Sequence, residues 1–383
     1  MKIKMTLLKV DNVLNRPLVR FLHNRPLLFK IYYYSILKLR VALFLGLHGM
    51  NSIAVQKTSL QGRLDYCCNK INKAEEVKKN KADIIACYVL YGLEPLEYFL
   101  YHFQDNHSHD YRRQFLSDRE RKFGCRKVLS VEVFDELKKK DKFYNLAAPF
   151  FNRDVCCIRT QEDREKFKEF VKKQPRFFAK PSGGTFGANT GIYNISDWES
   201  ADAAFDDFLS KKNWIFEEIV EQDPRMAVWN DTCVNTVRIP SIIGVNGEHI
   251  ILEPFLRTGR KGAIVDNAGA GGIFAVFDAE TGIVTTDGTN ESCNFYTKHP
   301  DSGLVYKGWQ IPCYEELKDI VEKAHRSLPS RHKYVGFDFA LSKKGWVLIE
   351  GNWGQFVGQI AEQKGVRYQF EKLMGLPEDS CFE

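Results

Sequence analysis

GFDFALSKKGWVLIEGN, residues 336–352, is the stretch whose reading decides the fold. Phe337, Phe339 and Leu341 alternate with Asp338 and Ala340, the two-residue period of a half-buried strand. A second, apolar strand follows at Trp346-Val347-Leu348-Ile349, with Lys343-Lys344-Gly345 between the two. A three-residue loop ending in Gly is a common hairpin connection, because Gly takes the left-handed position that closes it. Pairing Ser342 with Trp346 across that loop sets Asp338 opposite Glu350, and Asn352, two residues on, shares their face. Two carboxylates and an amide oxygen, with Cβ atoms about 5 Å apart across the ladder, suit Mg²⁺, which takes few protein oxygens beside substrate phosphates. The same residues could form a solvated acidic face. A two-residue loop would turn Glu350 to the other side.

Working outward, 383 residues with 44% apolar content suffice for two or three domains or subdomains. Ten cysteines include the adjacent pairs Cys67-Cys68 and Cys156-Cys157 and no CxxC, which fits reduced thiols better than a disulfide framework. The net charge of +6 is not spread evenly. Residues 1–62 hold ten Lys or Arg and one acid, Asp11, leaving 45 basic and 48 acidic side chains in the remainder. Within this segment, Lys30, Lys38 and Arg40 interrupt the apolar run at residues 26–50, so it reads neither as a spanning helix nor as a signal peptide. Its basic, aromatic and leucine residues are those of a segment lying on an anionic membrane surface, or of a helix packed on the next domain. No nucleic-acid motif accompanies the charge, and nucleic acid is not expected as a partner.

Three regions are expected: a helical, basic region over 1–125, a mixed region over 126–215, and a strand-dominated region over 216–383. The polar stretch 102–113, with His102, His107 and His109, lacks zinc-site spacing and reads as a solvated loop. Thr160 is placed to cap a helix through Val171, Ser196 and Glu199 form a candidate capping box, and 176–180 reads as a strand. Further strands are expected over 214–220, 232–244, 249–256 and 272–277, and a helix over 314–328. Lys180, on the strand over 176–180, precedes Ser182-Gly183-Gly184-Thr185-Phe186-Gly187, a loop whose backbone N–H groups could close over phosphate although it lacks Walker spacing. A plain turn is the alternative.

A strand lysine, a glycine-rich loop, a strand ending in Glu217-Glu218-Ile219-Val220, then a late Asp and Glu-x-Asn resemble the ATP-grasp superfamily. Further motifs in order are Asn235-Thr236-Val237-Arg238, Leu256-Arg257-Thr258-Gly259, Val265-Asp266-Asn267, Gly271-Gly272 and His299-Pro300. With them the chain resembles the branch associated with sugar transfer and surface polysaccharide, over about residues 138–363; Phe337 stands where that branch leads one to expect Trp. The resemblance implies an α+β ATP-grasp fold, two α+β subdomains gripping ATP, behind a helical N-terminal region.

It also implies roles. Lys142 and Lys180 would contact ATP phosphates, and Ser182, Gly183, Gly184, Thr185 and Gly187 would form the lid. The Glu218, Ile219 and Val220 backbone would read adenine, and Glu221 would hold ribose. Asp338, Glu350 and Asn352 would bind Mg²⁺. Arg238 and Arg257 would face the transferring phosphoryl group or the acceptor's carboxylate, with Lys180 as the third catalytic residue, while Asn235, Asp266 and Asn267 would line the acceptor pocket. The expected activity is an ADP-forming ligase that activates a small-molecule carboxylate as an acyl phosphate for attack by an amine or sugar-linked acceptor. It would serve surface-glycan assembly in the cytoplasm, at or near the inner membrane face. A phosphotransferase acting on a glycan precursor and an idle nucleotide-binding partner of a glycosyltransferase are the alternatives.

Overall fold

In the computed structural model, 336–352 is an antiparallel hairpin at one edge of an eight-stranded sheet, reached by an unexpected route. The structure describes residues 54–55, 58–183, 190–211, 213–268, 271–354, 356–378 and 380–381. These residues fall into two compact units. One takes the described parts of Met1–Val128, Glu291–Asn294 and Gln355–Glu383, and the other takes Leu129–Asn290 and Phe295–Gly354.

The second unit opens with helices α1 (Val131–Lys138), capped by the Ser130 hydroxyl on the Val133 N–H, and α2 (Lys140–Phe151). A four-stranded antiparallel sheet follows, built from β1 (Val155–Ile158), β2 (Arg176–Pro181), β3 (Gly191–Asn194) and β4 (Trp214–Glu217) in the order β1-β4-β2-β3. Helices α3 (Arg164–Lys173) and α4 (Ala201–Ser210) present Phe167, Phe170, Phe205 and Phe208 to Phe177 and Phe216 of the sheet, all buried. Full burial of each ring stabilises by up to about 3 kcal/mol.

Thr160 caps as expected, closing a capping box with Asp163 over one 3-10 turn that leads into α3. The capping box expected from Ser196 and Glu199 does not form. Asn194 and Asp197 close a separate turn over Ile195–Asp197, so α4 starts later, with the Ser200 hydroxyl accepting from the Ala203 N–H. The expected boundary at 215/216 would cut β4, whose ladder carries Phe216 and Glu217 into the small sheet.

The large sheet comprises β5 (Thr236–Ile243), β6 (His249–Ile251), β7 (Phe255–Thr258), β8 (Ile273–Val276), β9 (Gly288–Thr289), β10 (Phe295–Tyr296), β11 (Tyr334–Ser342) and β12 (Gly345–Asn352). Their order is β10-β9-β8-β7-β5-β11-β12, with β6 also on β5, and every pairing is antiparallel. The single run expected over 249–256 is split by Glu253, at φ +49°, followed by Pro254. Helix α5 (Tyr314–Ser327) packs on the sheet through Tyr314, Leu317, Val321 and Ala324.

The hairpin corrects the expected register. Ser342 pairs with Gly345, at φ +103°, leaving Lys343-Lys344 as a two-residue loop. That alone would have turned Glu350 away. A bulge intervenes: Phe339 faces Leu348, the next pair is Asp338 with Glu350, and Ile349 is the extra residue. The acidic pair is opposed as expected, because two departures cancel.

The first unit is helical, with Leu60–Ile71, Ala74–Tyr91, Pro95–Leu100, His109–Arg112 and Asp118–Val128. The polar stretch 102–113 is not a solvated loop. Arg112 is buried with its Nη2 2.7 Å from Asp83 Oδ2, and the Tyr91 hydroxyl meets His109 Nδ1 at 2.8 Å. The residues after 355, expected to end the strand-dominated region, belong here. Arg367, in the helix Arg367–Leu373, pairs with Glu120 and donates to the carbonyls of Arg113 and Phe115. All ten cysteines are free thiols. Among the described residues no helix is long and apolar enough to cross a membrane. The basic stretch 1–53 lies outside them.

Candidate active site

Ladder register assembles the site. Arg238 of β5 is directly opposite Asp338 of β11, which is opposite Glu350 of β12, so the three side chains share one face. One step along, Pro240, Gly336 and Asn352 form a second row; on the other side, Thr236 pairs with Arg257 of β7. Asp338 is 1% exposed. Arg238 holds both its oxygens, Nε to Oδ1 and Nη2 to Oδ2 at 2.7 Å, while Arg257 Nη2 reaches Oδ2 at 2.8 Å. Burial by itself would raise the Asp338 pKa, but the two guanidinium groups outweigh it and hold the carboxyl below its usual range.

Arg257 is also bound by the Thr236 hydroxyl at 2.8 Å and by Asp266 at 3.5 Å. Burial raises the Asp266 pKa, an effect that Arg257 and the hydrogen bonds from Thr236 reduce without cancelling. By position Asp266 is a partner of Arg257 inside the cluster, and its Oδ2 also accepts from the Thr236 N–H at 2.9 Å. Asn235 is a brace rather than an acceptor contact. Its amide donates to Gln222, Met226 and Asn230, and its Oδ1 accepts from the Gly259 N–H at 3.1 Å. The Asn267 carbonyl accepts from the Gly272 N–H at 3.0 Å.

Asn352 supplies the test for a cation. Its Oδ1 is buried without a hydrogen-bond partner, an orphaned acceptor of the kind a ligand satisfies. It lies against Gly354, where a Cβ would strike it and stand 2.8 Å from Arg238 Nη1. The Tyr334 hydroxyl fixes that turn through the Gly354 carbonyl at 2.8 Å. Among the described residues no group of three or more His, Cys, Asp or Glu could hold a metal ion, and the amide oxygen is the third donor beside Asp338 and Glu350. Asp338, Glu350 and Asn352 form an all-oxygen set that fits Mg²⁺.

The lysines fall differently from the expectation. Lys180, at the end of β2, is buried and pairs with Glu217 of β4 at 3.0 Å; Arg153 holds the other carboxylate oxygen at 3.1 Å. Burial acts to raise the Glu217 pKa, but those two cations bring it below the ordinary range. Lys142 points away: its exposed ammonium pairs with Asp135. The lysine drawn inward is Lys140, at the start of α2, whose backbone N–H donates to the Ser182 carbonyl at 3.0 Å. Burial lowers its pKa, opposed by Glu350 and Glu217 and reinforced by Lys180. Lys140 thus feels both the Lys180–Glu217 pair and the acidic row. No local pattern in 138–142 singles it out.

Ser182 is tied down, its hydroxyl on Asp141 and its N–H on the Asn213 carbonyl. Gly183 is exposed, and Gly184, Thr185 and Gly187 lie outside the described residues. After β4, Glu218 to Val220 leave the sheet, and the Glu218 N–H is spent on the Asp154 carbonyl. Glu218 pairs with Lys344 at 2.7 Å and Glu221 with Lys343 at 3.0 Å, clamping this linker onto the β11–β12 loop. The contributions of Lys140, Glu217, Arg153, Tyr334 and Gly354 were missed from the sequence.

The sequence pattern of the sugar-transfer associated ATP-grasp family matches residues 125–374, about two thirds of the chain. No curated protein matches. Similar solved structures include D-alanyl-alanine synthetase A from Vibrio cholerae, 14% identical over 63% of this chain, with a TM-score of 0.34. The chain covers 60% of that protein's length. A D-cycloserine synthetase is 10% identical, covering 66% of this chain and 77% of its own, with a TM-score of 0.39. An N5-carboxyaminoimidazole synthetase from Staphylococcus aureus, solved with ADP, is 11% identical, covering 65% and 55%, with a TM-score of 0.40.

Proposed function

The chain belongs to the sugar-transfer associated ATP-grasp family, and on that premise we propose that it is an ATP-dependent, ADP-forming ligase. It joins a small-molecule carboxylate to an amine or sugar-linked acceptor in surface-glycan assembly. The observation that carries this reading is Lys140, whose backbone N–H donates to the Ser182 carbonyl at 3.0 Å and whose charge interacts with Lys180, Glu217 and Glu350. The lysines assigned here to polyphosphate and the oxygen set assigned to a divalent metal belong to the same compact unit.

In the reaction, a substrate carboxylate oxygen attacks the γ-phosphorus of ATP and the bond to ADP breaks. The acceptor amine then attacks the acyl carbon, phosphate leaves, and the amine proton passes to solvent or phosphate. Lys140 and Lys180 hold phosphate oxygens, Glu217 and Arg153 keep the Lys180 ammonium in place, and Arg257 faces developing negative charge. Asp338, Glu350 and Asn352 would hold Mg²⁺, which neutralises phosphate charge when bound. No serine or cysteine nucleophile is needed.

The test is ADP release with Mg²⁺ across a panel of carboxylates and amines. An amide and free phosphate support the ligase, a stable phosphorylated acceptor marks a kinase, and failure to bind ATP with Mg²⁺ ends the reading. Residues 1–62, with ten cations and one anion, are proposed to hold the enzyme at the inner face of a membrane, each basic residue contributing about 1 kcal/mol near anionic lipid. Full-length protein should then float with anionic liposomes at low salt, and a chain starting near Arg63 should not; equal behaviour of the two refutes the tether.

A further inference from the structure

The two arginines on Asp338 are not equivalent. Arg257 is pinned by Thr236, Asp266 and Asp338 together. The ion pair and hydrogen bonds of Arg238 all go to Asp338, so one carboxylate holds it where three groups hold Arg257. Asp338 Oδ1 accepts from Arg238 Nε, while Oδ2 accepts from both guanidinium groups. An ionised carboxylate offers about four lone-pair positions, and three are spent. A divalent cation at Asp338 must therefore displace a guanidinium or sit beside it, against like charge and in a buried setting.

We propose that Arg238 is a latch: it occupies Asp338 until an anionic ligand draws its guanidinium away, so that anion and divalent cation bind this site cooperatively. The proposal rests on the metal reading given above and adds its regulation. Arg238 can leave because a bidentate phosphate or carboxylate replaces both of its bonds, whereas Arg257 stays and keeps Asp338 ionised. Release opens Oδ1, on the face that Asp338 shares with Glu350 and with Asn352, whose own Oδ1 is orphaned. Gly354 leaves room for the resting position, since a Cβ there would crowd both Arg238 Nη1 and Asn352 Oδ1. By linkage, whatever factor the anion adds to cation affinity, the cation adds to anion affinity.

The experiment uses the full chain without nucleotide, Mn²⁺ as the cation followed by electron paramagnetic resonance of the free ion, and sulfate against chloride at constant ionic strength. In the wild type, sulfate should tighten Mn²⁺ binding about tenfold. Arg238→Gln should bind Mn²⁺ about tenfold more tightly than wild type in chloride, with the sulfate effect gone. A variant that binds no more tightly, or that keeps the sulfate effect, overturns the latch alone. Absence of Mn²⁺ binding in both proteins overturns the metal reading with it. If thermal melting shows Arg238→Gln unfolded, the wild-type sulfate dependence decides, and no dependence overturns the latch.

Discussion

Replacing Lys140 by Met should cost nucleotide affinity, whereas the same change at Lys142 should not. Methionine keeps the length and apolar stem of lysine and removes only the charge. Lys140 is drawn inward, its pKa lowered by burial, and in reach of Lys180, Glu217 and Glu350. A phosphate oxygen there would gain a charge-assisted hydrogen bond, worth about 1.5–3 kcal/mol net, which corresponds to roughly a 10- to 150-fold rise in Kd. Lys142 is exposed and paired with Asp135; exposed pairs of this kind contribute little, and Kd should stay within about twofold. Isothermal titration with a non-hydrolysable ATP analogue and Mg²⁺ reads both values, with thermal melting as the check on folding. Lost affinity in Lys142→Met with wild-type affinity in Lys140→Met would refute the assignment made from burial.

Glu350→Gln keeps shape and removes a charged oxygen donor, so turnover should fall by at least about 100-fold with the melting temperature nearly unchanged; near wild-type turnover would mean that the bulge at Ile349 does not present Glu350 to the metal. The His325 pKa is lowered to about 4, chiefly by burial, against an unfolded value near 6.5. The unfolded chain therefore takes up the proton first, so this contribution to stability is constant above pH 6.5 and is lost as pH falls toward 4. Urea denaturation should show about 2 kcal/mol lost between pH 7 and 5, and His325→Asn should flatten that slope; an unchanged slope refutes the assignment. A Cβ at Gly351 would stand 2.1 Å from Phe143 Cζ, and Gly351→Ala should destabilise by about 1–3 kcal/mol; a wild-type denaturation midpoint would refute that contact.

Local pattern was enough for much of the chain. The strand over 336–342, the Thr160 cap and the strand ending in Lys180 depend on neighbours a few residues away, and the structure has each of them, although the first is buried along its whole length and not half-buried as its alternation suggested. The opposition of Asp338 and Glu350 was also legible, although a shorter loop and a bulge at Ile349 produce it together. Neither device has a sequence signature, because a bulge depends on what the partner strand demands. Tertiary structure decided the rest. Burial separates Lys140 from Lys142, two residues apart on one helix, and burial is a property of what packs against them. Arg238 and Arg257 meet Asp338 from 100 and 81 residues away. Their pairing leaves a carboxylate already neutralised where composition alone suggested an open acidic face, because strand order, not sequence distance, chooses which charges are neighbours.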